Sequence, residues 1–427
     1  MSQLSRAIQV FYFLTIVFVN LHTAISKPSR AYPDGCANQQ QCYYDYDNYP
    51  LKLHPDQGRA RSDFDLVRRL GAGKFSDVFE AVDARRSNQN KIADNEGAEN
   101  IDVNSLVVIK CLKPVAYRKV RRELLVLSHA SSLPSLARLV GVICDNDMHK
   151  YAANSMPSLI LEHAGLKARW FCHGTGGEPK RTNTRSETHD LPTTFENNRY
   201  LTEYEIKFFL YKLLNALDGL HSRGIMHRDV KPRNVLITRG CRKSKKNDRY
   251  VMKLQEDDDR SLMLIDLGLA EFYLPEKRYN VRVASRHYKS PELLIGNEFY
   301  DYSIDLWGVG CILAGLLFRR EPFFRGRDNV DQLAKIASVL GTNNLLKYCA
   351  SSNIKLSSAL RTAVGFHQKK PWASVVTKDC PQPSRQGLDF LDKLLEYDHT
   401  QRLTAREAMS HAFFDDVRDE CKIPVKN

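Results

Sequence analysis

The sequence predicts an α+β chain of two lobes: a small lobe rich in strands with one key helix, then a larger and mainly helical one. Two patterns carry this. Short β-branched and aromatic runs crowd before residue 162, and amphipathic stripes with helix-start signals crowd after it. A third observation sets the scale. The chain has 427 residues, 43% hydrophobic and 26% charged, which suffices for more than one packed unit and excludes wholesale disorder and a polytopic membrane protein.

Taken in order, the N-terminus carries one positive charge, an apolar run over 7–19 and the spacing Ala24-Ile25-Ser26, the anatomy of a secretory signal peptide. We expect residues 1–26 to be removed, an uncleaved anchor extending to Leu21 being the alternative, and the mature chain, with no membrane span, to lie in the secretory lumen or outside the cell. That compartment permits a disulfide between Cys36 and Cys42. The ten cysteines are otherwise too sparse for a disulfide scaffold and lack paired C-x-x-C spacing for zinc. Residues 27–62 read as an extension, 63–414 as the folded unit (63–161, then 162–414), and 415–427 as a tail. Strands are expected over 64–70, 78–82, 106–110 and 159–161. Val120, Leu124 and Leu127 mark a helix that carries Glu123 beside its apolar stripe. Thr202 and Glu205 form a capping box before Ile206, Phe209, Leu210, Leu213, Leu214, Leu217 and Leu220. Leu388, Leu391 and Leu395 mark another helix, and Thr404 with Glu407 a second box. Polar, aperiodic stretches near 85–105, 165–199 and 239–261 read as surface insertions.

Several segments carry chemistry. Leu70 ends a strand, and Gly71-Ala72-Gly73-Lys74-Phe75-Ser76-Asp77-Val78 leads into the next, so small residues let backbone amides approach phosphate oxygens. No helix follows, which excludes a dinucleotide fingerprint. Lys110 ends an apolar strand, and Glu123 on the next helix can hold it over the same site. Then come His227-Arg228-Asp229-Val230-Lys231-Pro232-Arg233-Asn234, Asp266-Leu267-Gly268 and Ser290-Pro291-Glu292. These segments, in this order between residues 64 and 414, resemble the protein kinase signature set.

The resemblance implies a bilobal protein kinase fold, ATP and Mg²⁺ as cofactors, and a role for each matched residue. Asp229 is the catalytic base and Lys231 its charge-neutralising neighbour. Asn234 and Asp266 are the Mg²⁺ ligands, hard oxygen donors as that ion prefers. Lys110, oriented by Glu123, grips the α- and β-phosphates. Glu162 and Ala164 match the hinge that bonds adenine, with Leu161 guarding the inner pocket, and Val108, Leu236 and Ile265 match pocket residues. Arg402 with Glu292 matches a buried, architectural ion pair.

Among kinases the chain is most similar to the catalytic (alpha) subunit of casein kinase II, through Leu112-Lys113-Pro114-Val115, Asp301-Tyr302-Ser303, Glu321-Pro322-Phe323-Phe324, Tyr397-Asp398-His399 and Asn280-Val281-Arg282-Val283-Ala284-Ser285-Arg286. That likeness implies Ser/Thr specificity and acidic protein substrates, whose downstream acids meet Arg282, Arg286 and Lys289, with Arg118 and Lys119 as a thinner second site. It also implies constitutive activity, through Tyr43-Tyr44-Asp45-Tyr46-Asp47 packing on the activation segment, and the family's regulatory (beta) subunit as a partner on the small lobe. Leu267 stands where that family carries tryptophan, which leaves GTP use open. The family's usual nuclear and cytoplasmic location is the alternative to secretion. The net charge of +13 favours acidic partners. Its residues are dispersed, so no specific nucleic-acid site is expected. The rival function is a pseudokinase scaffold, which retention of Lys110, Glu123, Asp229, Asn234 and Asp266 argues against.

Overall fold

Alternation of apolar and polar residues builds the small lobe. The computed structural model describes residues 58–86, 103–143, 156–166, 168–171, 200–239, 260–378 and 380–421. Its first six strands are β1 (Gly58–Arg59), β2 (Phe64–Ala72), β3 (Ser76–Asp83), β4 (Leu106–Leu112), β5 (Leu139–Ile143) and β6 (Ser158–Glu162). They form one sheet in the order β1-β5-β6-β4-β3-β2, antiparallel except where β1 joins β5. Register fixes which residues share a face. Glu80, Val108 and Leu161 are direct cross-strand neighbours, and so are Val78, Lys110 and Leu159. Residues two apart share a face, so Val108 and Lys110 look the same way. Helix α1 (Tyr117–Ala130) buries Val120, Leu124 and Leu127 as its stripe predicts, with Glu123 buried among them.

The larger lobe forms around α2 (Glu203–His221). Its capping box is present in full: the Thr202 hydroxyl accepts from Glu205 N–H at 3.2 Å, and the Glu205 carboxylate accepts from Thr202 N–H at 2.8 Å. Its apolar face is buried from Ile206 to Leu220. Short strands β7 (Arg169–Trp170), β8 (Ile225–Met226), β9 (Val235–Arg239), β10 (Arg260–Leu264) and β11 (Glu271–Phe272) make two small sheets, β10-β9-β7 and β11-β8. Further helices are α3 (Pro291–Leu294), α4 (Ser303–Leu317), α5 (Asn329–Leu340), α6 (Thr342–Ser351), α7 (Ser358–Val364), α8 (Arg385–Leu394), α9 (Ala405–Met409) and α10 (Arg418–Cys421). Every residue of α4 is buried, so it is the lobe's central post. Beside it Arg402 donates to Glu292 at 2.8 and 3.1 Å, both side chains 0% exposed. The architecture is the bilobal α+β fold that the sequence predicts.

Several expected boundaries move. The fold begins before residue 63, because Arg59 on β1 reaches the buried Asp83 at 2.8 Å and packs over the Phe64 ring. It continues past 414, because Val417 is buried and Glu420 of α10 accepts from Tyr204 and Arg260. All three insertions are narrower than expected. Ser105 is fully buried, Phe171 enters the core beside Phe209, and Arg239 pairs with Arg260 across β9 and β10. Among the described residues Cys111, Cys311, Cys349 and Cys380 are free thiols, and no helix is long and apolar enough to cross a membrane. The expectations for 1–26, Cys36 with Cys42, and 43–47 lie outside the described residues.

Candidate active site

Strand β4, helix α1 and the chain just after β10 bring three charges together. Lys110 Nζ donates to Glu123 Oε1 at 2.7 Å and to Asp266 Oδ1 at 2.8 Å. Burial disfavours the ammonium, but the two carboxylates outweigh it and hold its pKa above the ordinary lysine value. Burial likewise works to raise the Asp266 carboxyl, yet Lys110 holds it down at about 2. Asp266 has a left-handed backbone, φ 64°, and a Cβ on Gly268 would come within 3.2 Å of its Oδ1 and 3.3 Å of Lys110 Nζ. A side chain at 268 would crowd all three charged groups, so glycine there leaves the cluster room.

The glycine-rich turn between β2 and β3 is pinned from one side. Gly73 N–H donates to Ser76 O at 2.8 Å, and Lys113 Nζ donates to Gly73 O at 2.8 Å while pairing with Asp77 at 3.0 Å. A Cβ on Gly71 would meet nothing within 4 Å, and one on Gly73 only Ser76 O at 3.4 Å. The fold itself does not demand glycine at either place. The open space fits a phosphate that must reach backbone N–H groups. Ala72, Lys74 and Phe75 are exposed, and Leu70 and Val78 are half-buried.

A second cluster forms on the large lobe. Asp305, buried in α4, accepts the N–H groups of His227 and Arg228 at 2.8 Å each and His221 Nε2 at 3.0 Å. This fixes the backbone that leads into Asp229. Asp229 Oδ1 accepts from Ser285 N–H at 2.8 Å and from the Ser285 hydroxyl at 2.9 Å. Its Oδ2 accepts from Lys231 Nζ at 2.6 Å and Asn234 Nδ2 at 3.1 Å. Lys231 also donates to the Ser285 hydroxyl at 2.9 Å. A short carboxylate positioned this firmly is suited to accept a proton. Asn234 spends its amide nitrogen on Asp229, and Asp266 engages Lys110 through Oδ1. Asn234 Oδ1 and Asp266 Oδ2 therefore remain as hard donors that fit Mg²⁺.

Val108, Leu236 and Ile265 are half-buried. Glu162 turns its carboxylate to Arg138, with two contacts at 2.9 Å, so its side chain is already committed. Ala164 follows in the same connection. Arg282 and Arg286 are exposed on either side of Ser285, the residue that touches Asp229, and Arg286 also donates to Arg327 O. Arg118 and Lys119 are exposed on the first turn of α1, and Lys119 lies 5.6 Å from the Phe75 ring centroid. Lys289 does not stand as expected. It is buried, its Nζ donates to Val283 O and Val281 O, and desolvation lowers its pKa, so its charge supports the loop instead of facing a substrate.

The contacts of Ser285, Arg122, Glu271 and Tyr300 are not legible in the sequence. Ser285 was noticed only as part of a similar segment. Arg122 of α1 donates to Glu271 at 3.2 Å and Gly268 O at 3.2 Å, while Arg228 lies 3.8 Å from Glu271 and donates to Leu269 O at 2.7 Å. Glu271 thus joins α1, the 227–234 segment and the chain after Asp266. Tyr300 extends the set, accepting from Arg228 at 3.2 Å and donating to Asn280 O at 2.9 Å. An acidic residue five positions after Asp266 was the only signal available for Glu271. The family model for the protein kinase domain matches residues 181–414, just over half the chain.

Proposed function

The chain belongs to the protein kinase family, and on that premise we propose a serine/threonine kinase that phosphorylates Ser or Thr followed by acidic residues, similar to the catalytic subunit of casein kinase II. The observation that carries the reading is the pair of hydrogen bonds from Ser285 to Asp229, with exposed Arg282 and Arg286 flanking Ser285. A substrate hydroxyl delivered to Asp229 would have its following residues beside those guanidinium groups, whose rigid donor forks suit carboxylates and phosphates. Bound Mg²⁺ and ATP supply the phosphoryl group and the charge neutralisation that its transfer needs. Lys110 with Glu123 would hold the phosphates, Asn234 and Asp266 the cation, and Lys231 would offset charge beside Asp229, which takes the hydroxyl proton.

Constitutive activity is part of the proposal, supported by Glu271. Its carboxylate already sits between Arg122 and Arg228, where an unmodified chain would otherwise leave two cations facing each other. Retention of full activity after phosphatase treatment would bear this out, and loss would refute it. We also propose passage through the secretory pathway, which an uncleaved cytosolic product of a C-terminally tagged chain would sink. Docking of a casein kinase II-type regulatory subunit remains part of the proposal and is read from tetramer formation on mixing.

The central test measures phosphate transfer from ATP with Mg²⁺ to a serine peptide with downstream acids and to a matched peptide with basic residues. The proposal expects transfer to the acidic peptide, with Asp229→Asn lowering kcat by about 10²- to 10⁴-fold while nucleotide binding persists. Nucleotide binding without transfer to either peptide would favour the scaffold reading.

A further inference from the structure

Sequence reading treated the connection 162–164 as backbone alone, yet the residue between the two matched positions has a side chain with two defined partners. His163 Nε2 lies 2.9 Å from Glu80 Oε1, and His163 Nδ1 accepts from Gly165 N–H at 3.0 Å. A backbone N–H can only donate, so Nδ1 must keep its lone pair and Nε2 must carry the proton that goes to Glu80. The hydrogen-bond network thus assigns one neutral tautomer.

Glu80 is itself held. Arg68 Nε donates to its Oε2 at 2.6 Å and the terminal nitrogen of Arg68 to its Oε1 at 3.1 Å. The Glu80 side chain is only 4% exposed. Burial works to raise its carboxyl, but Arg68 and then His163 outweigh burial and keep it below the ordinary carboxylate value. Glu80 also faces Val108 directly across β3 and β4, and Val108 faces Leu161 across β4 and β6. The bond from His163 therefore ends on the strand row that carries the pocket residue Val108.

We infer that His163 is a positioning residue of the nucleotide site, an imidazole strut that ties the backbone of 162–165 to the sheet through Glu80. The inference rests on the reading above that this connection holds the nucleotide base. Without the strut the connection keeps the bonds between Glu162 and Arg138 but loses its side-chain tie to β3. The β4–β6 pairing still fixes Leu161 and Glu162 against Val108, but residues 163–165 lose a restraint on their position beside it, and nucleotide binding bears the cost.

Full-length protein is tested as wild type, His163→Ala and His163→Gln, with direct MgATP binding by calorimetry beside steady-state kinetics. His163→Ala should raise the ATP Kd and KM about fivefold to tenfold, with kcat and the peptide KM within about twofold. His163→Gln retains an amide donor for Glu80 and should fall in between. In a Glu80→Ala background, His163→Ala should add no more than about twofold, because the shared interaction is already gone. An unchanged ATP Kd in both His163 variants overturns the inference, as does a parallel fall of kcat, peptide affinity and melting temperature. If wild type itself binds no MgATP, the nucleotide reading fails and the inference with it, an outcome distinct from binding that the variants leave intact. Should His163→Ala not fold, His163→Gln alone decides between a raised and an unchanged Kd.

Discussion

Replacing Glu123 with glutamine changes charge but hardly shape, and it isolates what the lysine cluster contributes. Lys110 Nζ divides its bonds between Glu123 at 2.7 Å and Asp266 at 2.8 Å, with Lys110 and Glu123 side chains only 10% and 9% exposed. A hydrogen bond to a charged group contributes about 1.5–3 kcal/mol. At 1.36 kcal/mol for each tenfold in rate, kcat/KM should fall about 10- to 150-fold. Direction matters as much as size. With Glu123 neutral, the ammonium leans on its remaining carboxylate, Asp266, which is also a candidate Mg²⁺ ligand. The variant should therefore need more Mg²⁺ for half-maximal activity than wild type. The assay is initial rate against ATP at several Mg²⁺ concentrations, run below the melting range of both proteins. Activity within twofold of wild type, with an unshifted Mg²⁺ requirement, would refute the claim that this cluster positions Lys110 for phosphate.

Glu292→Gln would remove the counter-charge of Arg402, both side chains being fully buried, and should cost about 3–5 kcal/mol of stability; a denaturant midpoint equal to wild type would contradict it. Glu321 is pushed up to about 8 by burial from an ordinary 4.5, and the Tyr288 hydroxyl donates to it. Between those values the folded chain holds a proton the unfolded chain has lost, so stability should fall as pH rises from 4.5 to 8. Urea midpoints for Glu321→Gln should flatten that slope, and an equal slope would exclude Glu321 as its source. Arg286→Glu should raise KM for the acidic peptide about tenfold or more while sparing ATP KM; equal loss for both substrates would mean that the change is not one of peptide recognition.

Legibility followed the range over which each interaction acts. The Thr202 and Glu205 cap lies within four residues, so its signal and its hydrogen bonds are the same object, and the expected helix starts there. By contrast β1 and β7 are two-residue strands that exist only because β5 and β9 lie alongside them, and nothing local announces such a pairing. Polar composition likewise hid the true limits of the fold. Arg59 and Val417 each anchor a stretch that otherwise reads as linker or tail.

The site divides in the same way. Lys110, Asp229, Asn234 and Asp266 were visible because motif spacing places them, and the hydrogen bonds now join them into two clusters. Ser285 meets Asp229 across 56 positions, His163 meets Glu80 across 83 and Arg122 meets Glu271 across 149, distances at which residue type alone predicts no partner. Lys289 shows the complementary error. A lysine's charge sits at the end of a flexible four-carbon stem, so a matched Cα position does not say where the charge lies. In the fold it turns back to the carbonyls of Val281 and Val283. The acidic-substrate reading therefore depends on Arg282 and Arg286, which are exposed, and Lys289 shapes the loop that presents Arg282.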